Sequence, residues 1–466
     1  MKLKMTTRSM RNLAIAALAI TGQAFSDGLP PAPQQDNRKP LSITASLEAG
    51  MIQSLKEGNT LYKQQVINRL GVWMNQEGVV SGNQYNLGLG GMYWYPFPPN
   101  PANPATVQRN FIFGITQASI LFPLMGDLEK PVLTLSVGQF PFKYNPDASN
   151  LGEYLFRTRS YPTIVQTGGY MIADNTAASL MGASLTHNMW DGKISNSLVL
   201  SSETDLPPLY DLSLTYVGKA KLGSMFELGA GIGLERILPI RPSLTTPKNL
   251  DNRYFHWNGG NGFAAGDYWV KEPAGDSILV GGDPTVVSQL QFKNYTHKSI
   301  KLMGRASFDV KPIFGSETSM GTEDLKIFSE VAVLGLENYP FFYEKLGDRI
   351  PIMFGINLPA FGYLDIVSFQ MEHLSTPFAN DWYEVVWGGL PHHHQQNWNA
   401  DSLGHKDDWR WSILAKKQFA NHIGIAIQAA SDHFRGIGAD YHLSSRTSLT
   451  ETSRDWYYMG RVIWGF

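Results

Sequence analysis

Hydrophobic and polar side chains alternate with a period of two over long stretches of this chain, the pattern of a β-strand with one face in oil and the other in water. In Ser42–Ile52, Ile43, Ala45, Leu47, Ala49 and Met51 fall on one face, and Ser42, Thr44, Ser46 and Glu48 on the other. Phe226, Leu228, Ala230, Ile232 and Leu234 alternate with Glu227, Gly229, Gly231, Gly233 and Glu235. Ile300, Leu302, Ala306, Phe308 and Val310 alternate with Lys301, Met303, Arg305, Ser307 and Asp309, and Leu212, Leu214 and Tyr216 with Asp211, Ser213 and Thr215. A soluble sandwich alternates too, against a second sheet, but its strands are about five or six residues long. Runs of about ten match a tilted strand crossing a bilayer. Small residues on the apolar face, such as Ala45, Ala49, Ala230 and Ala306, are no penalty against lipid. The pattern predicts an all-β fold, a transmembrane antiparallel β-barrel.

Counted back from the chain end, the pattern predicts strands at 456–466, 422–432, 409–418, 362–373, 350–357, 324–336, 297–310, 224–235, 209–218, 193–201, 177–187, 131–140, 111–122, 84–95, 64–74 and 42–52. The count is even, as bacterial barrels require, and lies within a range of about 14 to 18 set by uncertain boundaries. The connections fall into two alternating classes: short at 188–192, 219–223, 358–361 and 419–421, long at 141–176, 236–296, 374–408 and 433–455. Short periplasmic turns and long extracellular loops produce that asymmetry. The connection 311–323 is long for its class. No apolar run reaches the roughly 18 residues of a helical span; the nearest, Phe111–Met125, is interrupted by Thr116, Gln117, Ser119 and Pro123.

The first 26 residues read as a signal peptide, with a basic start (Lys2, Lys4, Arg8, Arg11), an apolar stretch Leu13–Ile20, and small residues Gly22, Ala24 and Ser26 for cleavage. Residues 27–40 are a Pro-rich linker, leaving 41–466 for the barrel. Charged residues are only 17% and aromatics 12%, a balance that suits a wall facing lipid with rings at its interfaces and equally a large secreted β-sandwich, so composition alone decides little. Tyr93, Trp94 and Tyr95, Trp382 and Trp387, Trp409 and Trp411, and Trp456 and Tyr457 cluster at strand ends, either as interfacial girdles or as a sugar-binding platform. Removing the four cations of the signal peptide leaves 34 basic against 40 acidic side chains, a balance that argues against nucleic acid as a partner. The chain has no cysteine, so disulfides, thiolate metal sites and cysteine nucleophiles are excluded.

The last strand places Tyr458, Gly460, Val462, Trp464 and Phe466 on one face and stops at an aromatic residue. Here the chain resembles Gram-negative outer-membrane barrels of the porin type. The resemblance implies that Tyr458, Val462, Trp464 and Phe466 form a signal read by the barrel-assembly machinery, and that the cell outer membrane and its lipid are the setting. It also implies that the third outward loop, 141–176, folds inward as a constriction, with Asp147, Glu153, Arg157, Arg159 and Asp174 as its charges.

Inward-phase charges of both signs would line the lumen: Glu48, Asp211, Glu227, Glu235, Asp309, Glu330 and Glu372 against Lys219, Lys301, Arg305, Arg410 and Arg461. The expected function is passive diffusion of small hydrophilic solutes, without catalysis or cofactor, in a barrel size compatible with a homo-oligomer. An alternative is a structural or adhesive barrel whose loops 236–296 and 374–408 bind a protein or polysaccharide. A hydrolase is the weakest reading, because no nucleophile–base grouping stands out. The Gly-rich runs Gly229–Gly233 and Gly259–Gly266 do not open a helix after a parallel strand, so they read as lumen-facing gaps and not as phosphate cradles. His392, His393 and His394, with His373 and His405, read as a solvated polar loop in preference to a metal site.

Overall fold

Segments that alternate with period two can hide one face only by pairing side by side, and the strands among the described residues do so in a closed ring. A computed structural model describes residues 42–55, 65–97, 108–149, 151–157, 178–204, 210–238, 299–314, 320–336, 346–375, 409–419, 423–431 and 456–465. Its strands are β1 (Ser42–Leu55), β2 (Gln65–Val80), β3 (Asn83–Phe97), β4 (Gln108–Gly126), β5 (Pro131–Phe142), β6 (Ala178–Met189), β7 (Ile194–Ser202), β8 (Leu212–Leu222), β9 (Phe226–Leu238), β10 (Ser299–Asp309), β11 (Lys326–Val333), β12 (Ile352–Asn357), β13 (Ile366–His373), β14 (Trp409–Phe419), β15 (Ile423–Ala430) and β16 (Trp456–Gly465). Each pairs antiparallel with its chain neighbours, and β1 closes the ring on β16, from Ser46 opposite Gly465 to Leu55 opposite Trp456. Among the described strands closure leaves no edge unpaired, the condition for a sheet to sit in hydrocarbon. The sixteen strands correspond one to one with those expected from alternation.

The two faces are inverted relative to a soluble protein. Val72 and Met74 on β2, Phe113 and Ile115 on β4, Leu228 on β9, Phe354 on β12, Ile427 on β15, and Val462 and Trp464 on β16 are exposed on the outside. Lys301, Glu330, Gln370, Glu372 and Arg410 are buried on the inside. Apolar out and charged in makes this a transmembrane barrel.

Where the structure departs from simple alternation, the cause is local. The strand expected at 64–74 continues to Val80, because Ser81 and Gly82, with φ of 51° and 77°, form a two-residue hairpin turn that keeps Val80 opposite Asn83. On β4, Thr116 has no partner on β3: Ile115 faces Leu89 and Gln117 faces Gly88. This bulge resets the phase, so Ile115 and Ile120 both point outward although they lie five apart. A second irregularity, at Leu212/Leu214, leaves three β9 residues opposite Ser213. It turns the consecutive Glu235 and Arg236 both inward, Arg236 at φ 48°.

Strands β11, β12 and β13 have 8, 6 and 8 residues, fewer than expected. Pro351 has no N–H to give at the start of β12, yet the ladder continues past it through Ala332 N–H to the Pro351 carbonyl and Leu334 N–H to the Arg349 carbonyl. The connection after β10 is indeed long. It is tied down by the Lys311 ammonium, which donates to the Gly321 and Thr322 carbonyls beside Asp309.

At the long-loop end of the outer wall, Trp409 stacks near His373 at 4.4 Å between ring centroids, and Trp456 lies 6.2 Å from Trp411 and 6.3 Å from Tyr458. Tyr457 does not join them. It faces inward, 1% exposed, and its hydroxyl accepts from Gln428 Nε2 at 2.9 Å. Adjacent residues on a strand point to opposite faces, so only one of the pair Trp456/Tyr457 can belong to a girdle. Phe466, Trp382, Trp387, and residues 1–40 with the expected signal peptide and linker lie outside the described residues.

Candidate functional site

After Phe142 the chain turns into the barrel. Tyr144, Asn145, Asp147, Ala148 and every residue from Leu151 to Arg157 are buried, and Tyr154–Phe156 form a single 3₁₀ turn. A water-exposed loop gains nothing from the consecutive apolar residues Tyr154, Leu155 and Phe156; inside the barrel they have a surface to meet. Phe156 packs edge-on against Phe142 at 5.7 Å and lies 5.8 Å from Tyr144. The same cluster takes in Val199 of β7, Val217 of β8, Met303 of β10, Phe328 of β11 and Met353 of β12. Each large apolar side chain so covered contributes about 1.5–3 kcal/mol.

Two inward carboxylates fix the segment's backbone. Glu330 on β11 accepts four hydrogen bonds from it: Tyr144 Oη at 2.6 Å and Tyr154 N at 3.0 Å on Oε1, and Asn145 Nδ2 at 2.7 Å and Glu153 N at 3.0 Å on Oε2. Glu372 on β13 accepts from Tyr154 Oη at 2.8 Å and Gly152 N at 3.4 Å, and is itself held by Arg410 of β14 at 3.1 Å. Burial, and the carboxylates they face, push both phenols, Tyr144 and Tyr154, well above the usual tyrosine range, so each stays a donor. The Gln370 side chain receives Leu151 N at 3.2 Å and donates to the Asp147 carbonyl at 3.3 Å. Lys301 on β10, paired with Glu235, donates to the Tyr154 and Arg157 carbonyls.

The glycine run on β9 has its role here. Leu155 reaches the inner face of β9, where a Cβ on Gly231 would come within 2.7 Å of Leu155 Cδ1, 3.0 Å of the Tyr216 carbonyl and 3.1 Å of Met303 Cε. Gly231 is thus a notch for Leu155. Gly231→Ala should weaken docking by about 1–3 kcal/mol, as overpacking does, and Leu155→Ala in the same chain should restore part of it. A double-mutant cycle read by thermal melting in detergent checks this; strict additivity would separate the two residues.

The charges expected along the lumen are therefore largely engaged with one another or with the inserted segment. Glu235, Lys301, Glu330, Glu372 and Arg410 lie beneath or beside it. Arg305 pairs with Glu227, and Lys219 and Lys221 lie near that carboxylate on β8. Asp309 pairs with Lys311 at the short-turn end, Asp211 is buried just before β8, and Arg461 is buried on β16. Glu48 occupies β1 opposite Ile463 and Gly71.

Of the segment's own charges, Asp147 pairs with Lys326 at 3.1 Å, Arg157 donates to the Gly152 carbonyl at 3.2 Å, and Glu153 is buried; Arg159 and Asp174 lie outside the described residues. Tyr144, Asn145, Tyr154 and Gln370 were not legible as site residues, since nothing in their local pattern marks a contact across the barrel. His373 points outward onto Trp409, whereas His392–His394, His405 and Gly259–Gly266 lie outside the described residues.

No family model matches the sequence, and no curated protein matches it. Among solved structures the chain is similar to the Rhodopseudomonas blastica porin in several mutant forms, one with TM-score 0.44 and 10% identity over 92% of this chain and 100% of that one. It is similar also to Pseudomonas putida OprB, with TM-score 0.49 and 9% identity over 91% of this chain and 94% of that one. At these values the likeness says nothing of solute or mechanism.

Proposed function

We propose that this chain is a passive channel of the Gram-negative outer membrane, passing small hydrophilic solutes through a lumen narrowed by residues 143–157. The observation that carries the reading is a chain segment clamped by inward carboxylates within a closed barrel whose outer wall is apolar. An adhesive anchor has no use for such a clamp, whereas a permeation path needs its narrowest point held in place. In this reading the loop that carries Asp147, Glu153, Arg157, Arg159 and Asp174 is the one that narrows the path. Charges of both signs face the lumen and several are joined in pairs, Lys301 with Glu235, Arg305 with Glu227 and Arg410 with Glu372, so selectivity between anions and cations is weak. Tyr458, Val462, Trp464 and Phe466 serve barrel assembly.

Refolded protein in a planar bilayer should give discrete conducting steps, with a reversal potential under a salt gradient displaced only slightly from that of a non-selective pore. Insertion without any steps overturns the channel.

A further inference from the structure

Glu153 stands out within the inserted segment. Its backbone is left-handed (φ 56°, ψ 42°), a conformation that disfavours a side chain, and the residue is 3% exposed. Its N–H is spent on Glu330, and its side chain makes no capping bond. One carboxyl oxygen, Oε1, has no hydrogen-bond partner at all. The charged groups around it are Lys143 and Arg157 of the same segment and Glu330 of β11, with the Tyr144 phenol alongside and Glu372 of β13 facing Arg157. A buried carboxylate with an unsatisfied oxygen, next to a second carboxylate already committed to four donors, is a poor place for a negative charge.

We propose that Glu153 makes the docking of residues 143–157 proton-dependent: the segment is seated while this carboxyl is protonated and is released when it ionises. The proposal concerns the position of the segment; only its effect on current rests on the channel reading. The direction follows from the energetics of the site. Burial, reinforced by Glu330 and opposed by Lys143, Arg157 and a hydrogen bond from the Asn145 backbone N–H to the carboxylate, raises the Glu153 carboxyl to about 7. In the released segment it returns to the ordinary carboxylate range near 4.5. The docked form holds its proton more tightly, so docking is strongest in acid and is lost as pH rises through about 7.

The absence of cysteine allows a direct test. Ser149 Oγ is buried and has no hydrogen-bond partner, so Ser149→Cys is a near-isosteric probe that sacrifices no bond. The full barrel, refolded in detergent, is labelled with a neutral maleimide from pH 5.5 to 8.5, with Glu153 intact or replaced by Glu153→Gln. The ratio of the two rates at each pH cancels ionisation of the thiol itself. The ratio should be smallest at pH 5.5 and rise about tenfold or more by pH 8.5. A ratio that stays at one throughout overturns the proposal. Glu153→Gly suits the left-handed backbone and removes the carboxyl; it should match Glu153→Gln, and it replaces that variant should the amide not fold. Bilayer conductance of the unmodified chain should rise over the same range and stay flat in both variants. Currents absent at every pH would sink the channel reading, while the thiol ratio would still decide whether Glu153 controls docking.

Discussion

Glu330→Gln should yield a folded barrel whose segment 143–157 is no longer held, with larger single-channel steps than the unmodified chain. The carboxylate presents two acceptor oxygens to four donors, two on each. An amide offers one oxygen and one NH₂, so in either orientation two donors confront a third. Hydrogen bonds to a charged group are worth about 1.5–3 kcal/mol each. Losing two weakens docking by about 3 kcal/mol or more, roughly two orders of magnitude in the balance between seated and released. The sheet itself should survive, because Glu330 pairs with Arg305 and Met353 through its backbone and that ladder is untouched. Heat-modifiable gel mobility would report the intact barrel, and conductance together with maleimide access at Ser149→Cys would report release. Unchanged steps and unchanged access would mean that the apolar contacts of Leu155 and Phe156 hold the segment without the clamp.

Ile427→Arg should impair membrane folding more than any substitution within the inserted segment's apolar contacts. Ile427 is 60% exposed on the outer face of β15, between Ala415 and Gly460 and midway along the strand. A soluble protein would tolerate arginine at so open a position. Against hydrocarbon at mid-depth it costs about 2–4 kcal/mol. The urea midpoint for unfolding from phosphatidylcholine vesicles should fall accordingly, and Ile427→Phe should leave it nearly unchanged. If the arginine variant folds into vesicles as readily as the parent chain, the outer wall does not face lipid.

Both expectations draw on different levels of legibility. Ile427 could be placed from sequence, because Ile423, Ile425 and Ile427 repeat every second residue and the phase of a strand is a local property. The strand order needed no more than antiparallel neighbours joined in sequence. The clamp could not be seen. Tyr144 and Glu330 are 186 residues apart, and no local period relates them. Alternation placed Glu330, Glu372 and Arg410 on the inward face, but inward meant lumen water until the path of one connection covered them. Arg236 was hidden for another reason: the irregularity on β9 sends two consecutive side chains the same way, which a strict period of two forbids.

The sequence alone determined a closed sheet with greasy and polar faces and about 14 to 18 strands, since both follow from a two-residue period and from the need of backbone groups in lipid to be paired. The tertiary structure decided what the interior charges do. Whether a buried carboxylate meets water, a lysine or a folded-back segment depends on closure of the ring and on where one long connection travels, and those are contacts between distant parts of the chain.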